Sequence, residues 1–105
     1  MSESPGQPQR YRVSYSGRVR EELRALLARA RGLGRAPEVL AAVKEIDRRL
    51  QIYPQFGQPL RDLTLEPAQV WIGVVPPLTV QYVLDEARHA VFVVVPLLPL
   101  PSSGL

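Results

Sequence analysis

The stretch from residue 67 to residue 84 most restricts the fold, because it holds eighteen residues without a charge. A run of this length is enough for a transmembrane helix. Pro76 and Pro77 lie in its middle, where two prolines would remove helical hydrogen bonds and clash with the preceding turn. The surrounding Val, Ile and Thr residues favour strands. The sequence therefore predicts strands at 70–75 and 79–84, joined across the prolines as a hairpin, and no membrane span.

Two more strands are predicted, one near the start of the chain and one after the hairpin. Residues 10–15 alternate between apolar and polar side chains, which is the period of a half-buried strand. Residues 90–95 form a second apolar run behind a polar turn. Consecutive strands with short loops pair antiparallel, and Trp71 and Tyr82 are expected to anchor the core beneath them.

An amphipathic helical hairpin is predicted between the first strand and the others. Ser16 is a suitable N-cap for the first helix, whose apolar residues recur at helical spacing over 19–33. A glycine-rich segment at 32–34 ends it. Pro37 suits the first turn of the second helix, whose apolar face runs over 39–50.

The element order predicts an α+β domain, β-α-α-β-β-β, in which the helical hairpin covers one face of an antiparallel sheet. A chain of 105 residues with 46% hydrophobic residues can form one stable core. We assign residues 10–100 to a single domain. Residues 1–9 and 101–105, which are rich in Pro, Gly and Ser, are predicted flexible tails.

The composition excludes several kinds of site. The chain has no cysteine and a single histidine, His89, which argues against a disulfide framework and a zinc site. We therefore expect no metal and no cofactor. Residues 1–9 have neither the basic start nor the apolar core of a secretory signal, so a cytoplasmic location is expected.

The positive charge is concentrated near the start of the chain. The net charge is +3, yet residues 10–35 hold eight arginines against two glutamates, a local charge of +6. Such a segment could meet an acidic partner or a phosphate backbone. Arg20, Arg24 and Arg31 fall within a narrow arc of the first helix, and a solvated helix face is the simpler alternative.

Four further positions are candidates for target binding or chemistry. Arg48 and Arg49 lie on the second helix, and Arg88 lies in the turn before the strand at 90–95. Each of the three could contact a target. His89 beside Arg88 is a weak acid–base candidate, because histidine is the residue type whose unperturbed pKa lies near neutrality. The apolar segment 96–100 either packs on the helices or stays exposed and receives a partner by strand addition.

Several of these features together resemble the RelE/ParE superfamily of toxins from bacterial toxin–antitoxin pairs. They are the Tyr- and Val-containing first strand, the helical hairpin, a Pro-x-x-Gly-x-Pro-Leu connector at 54–60, and a final meander reading VQYVLDEARHAVFVVV. The resemblance covers residues 10–96. It implies either a RelE-like toxin that cleaves messenger RNA in the ribosome or a ParE-like toxin that poisons DNA gyrase, each silenced by a small antitoxin protein. Fold alone cannot choose between them.

The sequence departs from the catalytic pattern of the RelE-like members. Arg61 matches a cationic position after the connector and is the single catalytic candidate, but the neighbouring basic position is Pro59. The strand turn at 75–77 and Thr79 replace expected arginines, and 96–100 is apolar where basic residues are expected. Because stabilisation of phosphate charge is usually the largest catalytic contribution, this loss disfavours cleavage.

We therefore expect a toxin-family protein that acts by binding gyrase or the translation machinery, with a small antitoxin as partner. One alternative is an active mRNA endonuclease that uses Arg61 with arginines from the helices. Another is a protein-binding scaffold that has lost toxicity. The nuclease alternative requires Arg48, Arg49, Arg61 and Arg88 to converge on one cleft.

Overall fold

The computed structural model describes residues 10–65 and 68–105, with the backbone alone for residues 61–65. Its elements, in chain order, are β1 (Arg12–Tyr15), α1 (Gly17–Gly32), α2 (Ala36–Ile52), a 3-10 turn (Pro54–Phe56), β2 (Gln58–Leu65), β3 (Ala68–Val75), β4 (Leu78–Asp85), β5 (Ala90–Val93) and β6 (Leu98–Pro99). The predicted α+β class is confirmed, with six strands described where four were expected.

The strands form one sheet in the order β1-β5-β4-β3-β2, and β6 pairs with β4 beyond the end of β5. The predicted hairpin is the longest pairing in it, running from Gln69 opposite Leu84 to Val75 opposite Leu78. β1 pairs with β5 in parallel, with Arg12 opposite Ala90. The sheet is thus mostly, not wholly, antiparallel.

The largest difference from the prediction is β2, because residues 54–60 were expected to be a connector without a strand. The chain passes through the 3-10 turn and then forms the edge strand 58–65. Pro59 lies opposite Trp71 in it. An edge strand tolerates proline because its backbone needs hydrogen bonds on one side alone. The final predicted strand is also shorter, since β5 ends at Val93.

The helix boundaries follow their local signals. The hydroxyl of Ser16 accepts a hydrogen bond from the amide of Val19 at 3.2 Å, as expected of an N-cap. Gly34, with φ of +69°, turns the chain after α1. Pro37 occupies the first turn of α2. Neither helix of the described chain has the length and apolarity needed to cross a membrane.

The core lies between the helical hairpin and one face of the sheet. Its buried members include Val19, Leu26, Ala30, Val39, Ile46, Leu50, Leu78, Val80, Tyr82, Leu84, Val91 and Val93. Tyr82 is 1% exposed, and its hydroxyl donates to the carbonyl of Pro54. The Phe56 ring packs over Gly73, where an added Cβ would lie 2.5 Å from Cζ of the ring. Tyr82 is therefore the core anchor that the sequence predicted.

The segment after β5 folds back over the domain. Leu97 is buried in the core, and the next two residues form β6. Leu98 is 57% exposed, so this apolar segment is divided between the core and the surface. Arg35 donates to the carbonyl of Ser103, and Leu105 packs against the core. The predicted N-terminal tail, residues 1–9, lies outside the described residues.

Candidate functional site

A cleft of 680 Å³ opens where α1 and α2 meet the β1 edge of the sheet. Its apolar lining comes from both helices and the segment after β5: Leu23, Val43, Ile46, Ile52 and Leu97. The helical hairpin brings Leu23, Val43 and Ile46 together, because each lies on an apolar stripe that also meets the core. Ile52, at the end of α2, is 38% exposed. The size and apolar lining are those of a binding cleft.

One wall of the cleft is a polar network built on α2. The hydroxyl of Tyr15 donates to Asp47 at 2.6 Å, and the amide of Gln51 donates to the other carboxylate oxygen at 2.7 Å. Arg10 donates to the side-chain oxygen of Gln51 at 3.4 Å. Asp47 and Gln51 lie four residues apart and so share one helix face. Both oxygens of the carboxylate are therefore occupied.

The network holds Tyr15 as a neutral hydrogen-bond donor. Burial raises the pKa of its phenol, and the hydrogen bond to Asp47 and the charge of that carboxylate raise it further. A phenol in this state is not available as a nucleophile or a base at neutral pH. The wall is suited to fixing the shape and polarity of the cleft, not to transferring protons.

The rim of the cleft is cationic. Arg10, Arg20, Lys44 and Arg48 line it, against the single carboxylate of Asp47. Arg48 also forms an ion pair with Glu45 at 2.7 Å, outside the lining. The cleft as a whole therefore combines an apolar floor with an excess of positive charge, which suits an anionic, partly apolar occupant.

The candidate arginines predicted from the sequence are distributed over several surfaces. Arg20 and Arg48 line the cleft. Arg24 and Arg31 are exposed on α1 and are not part of its lining. Arg88, in the turn after β4, has a side chain that is 78% exposed.

Arg49 has a packing role in the last turn of α2. Its guanidinium carbon lies 5.3 Å from the centroid of the Phe56 ring, and its Nε lies 2.7 Å from Glu45. Hydrogen bonds from Arg48 and Arg49 lower the pKa of Glu45 to about 2, so this carboxylate remains charged beside both arginines.

The two candidates for chemistry lie away from the cleft lining or outside what is described. His89 stacks on Tyr11 in the turn before β5, with ring centroids 4.4 Å apart, and does not line the cleft. Arg61 lies in β2, and its side chain lies outside the described residues. The described arginines do not converge on one cleft as the nuclease alternative requires.

Protein-family models, curated proteins and solved structures were all compared with this chain, and none matches. The resemblance to the RelE/ParE superfamily thus remains a prediction from the sequence, and the cleft has to be interpreted from its own chemistry.

Sequence reasoning missed the residues that give the cleft its polar wall. Tyr15 and Asp47 are 32 residues apart, and no local pattern joins a strand tyrosine to a helix carboxylate. The four-residue spacing of Asp47 and Gln51 does indicate that both lie on one helix face, but it does not indicate that Tyr15 contacts Asp47.

The described residues contain no group of three His, Cys, Asp or Glu side chains able to hold a metal ion.

Proposed function

We propose that this chain is a cytoplasmic RelE/ParE-like toxin-family protein that acts by binding, and that a small antitoxin occupies its cleft. The observation that carries the proposal is the cleft between α1, α2 and β1, with its apolar floor and four cations at its rim. An acidic, amphipathic segment of the antitoxin would place apolar side chains on the floor and carboxylates against the rim.

Binding is better supported than catalysis for this cleft. RNA cleavage by a ribose hydroxyl needs a base, an acid and cations around one phosphate. The cleft offers Tyr15 as a neutral donor and Asp47 with both oxygens hydrogen-bonded. Arg49 and Arg88 lie outside its lining. The target of the free toxin is either gyrase or the translation machinery.

The partner half of the proposal is tested with a synthetic amphipathic peptide of about 18 residues, or five helical turns. One face carries leucines and the other carries glutamates, and a matched peptide carries lysines in place of the glutamates. Fluorescence anisotropy should show binding of the acidic peptide, weakened by salt, and no binding of the basic one.

Charge reversal locates the binding. Arg20→Glu with Lys44→Glu should weaken acidic-peptide binding about tenfold, because two rim cations are replaced by carboxylates. Arg24→Glu with Arg31→Glu is the matched control, since it makes the same charge change on exposed positions outside the cleft. Equal weakening by both pairs would refute the cleft as the site.

The toxin half is tested by growth of a bacterial host after controlled induction, with soluble expression confirmed in the same cells. Growth arrest is expected, and assays of gyrase activity and of messenger RNA integrity then separate the two targets. Normal growth at good soluble levels, with the acidic peptide still bound, would contradict the toxin and leave a protein-binding scaffold.

A further inference from the structure

We propose that the sheet face opposite the helices is a self-association surface, on which a second copy of this chain docks face to face. This outer sheet face is defined by Val70, Val74, Val83, Phe92, Val94 and Leu98. The inference is independent of the cleft, because the two surfaces lie on opposite sides of the sheet.

The strand register assembles these side chains into rows. Val83 of β4 lies opposite Val70 on one side and Phe92 on the other. Thr79 lies opposite both Val74 and Leu98. Side chains alternate along a strand, and the neighbouring even-numbered residues of β4 point into the core, so these rows point away from the helices.

The face is apolar and accessible. Val74 is 51% exposed, Phe92 40%, Val94 56% and Leu98 57%. A depression of 140 Å³ beside Val94 is also lined by Val83 and by Val70, which is buried. The largest apolar patch on a monomeric protein typically covers about 300–600 Å² and is often an interaction site. Four exposed apolar side chains on one face of the sheet therefore indicate an interface with a partner.

The charge distribution favours a second copy as that partner. The residues between the apolar ones in these rows are the neutral Ser14, Thr79 and Gln81. Charged residues lie in the row at one end of the face, where Ala90 has Arg12 on one side and Asp85, which is 5% exposed, on the other. Away from that row, the described residues of the face offer no charge that would complement a strongly acidic or basic partner. A second copy offers a matching neutral surface, and face-to-face docking keeps the two basic helical hairpins on the outside of the dimer, far apart.

The area of the face sets the strength of the association. Five strands spaced about 4.8 Å apart and about six residues long cover roughly 400 Å² per copy. Stable interfaces bury about 800 Å² per partner. The dimer is therefore a reversible one, formed by aligned packing of two sheets and populated as the concentration rises.

Sedimentation of the full chain over concentrations from about 5 µM to about 500 µM tests this directly. The mean mass should rise from 11.7 kDa toward twice that value. Val94→Lys should weaken the association at least about tenfold, because both copies bring a charge into an apolar interface. Leu33→Lys is the matched control, since Leu33 is 54% exposed at the end of α1, and it should leave the association unchanged.

Circular dichroism of each variant confirms folding, and Phe92→Lys replaces Val94→Lys if that variant does not fold. A mass that stays at 11.7 kDa at every concentration would overturn the proposal and leave the face to a different partner. So would equal weakening by Val94→Lys and Leu33→Lys, or weakening by Leu33→Lys alone, because the contact would then involve the helices.

Discussion

Removal of one buried hydroxyl should measurably destabilise the fold. Tyr82 is 1% exposed, and its hydroxyl donates to the carbonyl of Pro54, which is also fully buried. Tyr82→Phe keeps the ring and leaves that carbonyl without a partner, which costs about 1–3 kcal/mol. With an unfolding entropy of about 2.1 cal/mol/K per residue, a chain of 105 residues should melt about 5–14 °C lower.

The assay is urea unfolding followed by the fluorescence of Trp71, the single tryptophan, which packs against the core. Tyr53→Phe is the matched control because Tyr53 is 59% exposed, and it should change the free energy of unfolding by less than about 0.5 kcal/mol. If Tyr82→Phe changes stability as little as the control does, the hydroxyl does not hold the 3-10 turn on the sheet.

Three other perturbations have expected outcomes. Gly57→Ala should cost about 1–3 kcal/mol, because its Cβ would clash with the backbone carbonyl of Ile72 and would lie 2.8 Å from the hydroxyl of Tyr82. Gly32→Ala, with nothing within 4 Å of its Cβ, should not destabilise, and urea unfolding compares the two. Burial raises the pKa of Tyr15 and Tyr82, so above about pH 10 the unfolded chain loses protons that the folded chain keeps, and the free energy of unfolding should fall as pH rises. The free energy of unfolding should fall by up to about 1.4 kcal/mol per pH unit for each phenol that is ionised in the unfolded chain and protonated in the folded one, over a narrower pH range for half-buried Tyr15; no change in stability across this range would contradict the burial of both. Arg35→Ala should speed amide hydrogen exchange over residues 100–105 with an unchanged unfolding midpoint, and unchanged exchange would show that this side chain does not fasten the tail.

The parts of the fold that the sequence predicts are those set by neighbouring residues. Ser16 caps α1 because its hydroxyl reaches an amide three positions on, and Pro37 starts α2 because the first turn needs no donor there. The Pro76–Pro77 pair converts an uncharged run into a hairpin. Each of these three signals acts within a few residues, and the structure contains the two helices and the hairpin that they predict.

The parts that the sequence did not predict depend on contacts across the chain. Pro59 hid β2, because a proline is read as a strand breaker unless the strand is known to lie at an edge. The contact of Tyr15 with Asp47 exists only after α2 has packed beside β1. For the site, sequence analysis identified two rim arginines, Arg20 and Arg48, and missed the polar wall.

The parallel pairing of β1 with β5 also sets when this protein can become complete during its synthesis. Arg12 pairs with Ala90, so β1 cannot join the sheet until β5 has been synthesised. The helical hairpin and the β3–β4 pair need only neighbouring residues and can form while the chain is still growing, whereas contacts of such long sequence separation close late. Until β5 is available, Val13 and Tyr15 have no strand beside them, and the edge of β4 is open to pairing with other nascent chains. The chain is therefore most exposed to aggregation in the interval before residues 90–93 have been made and paired.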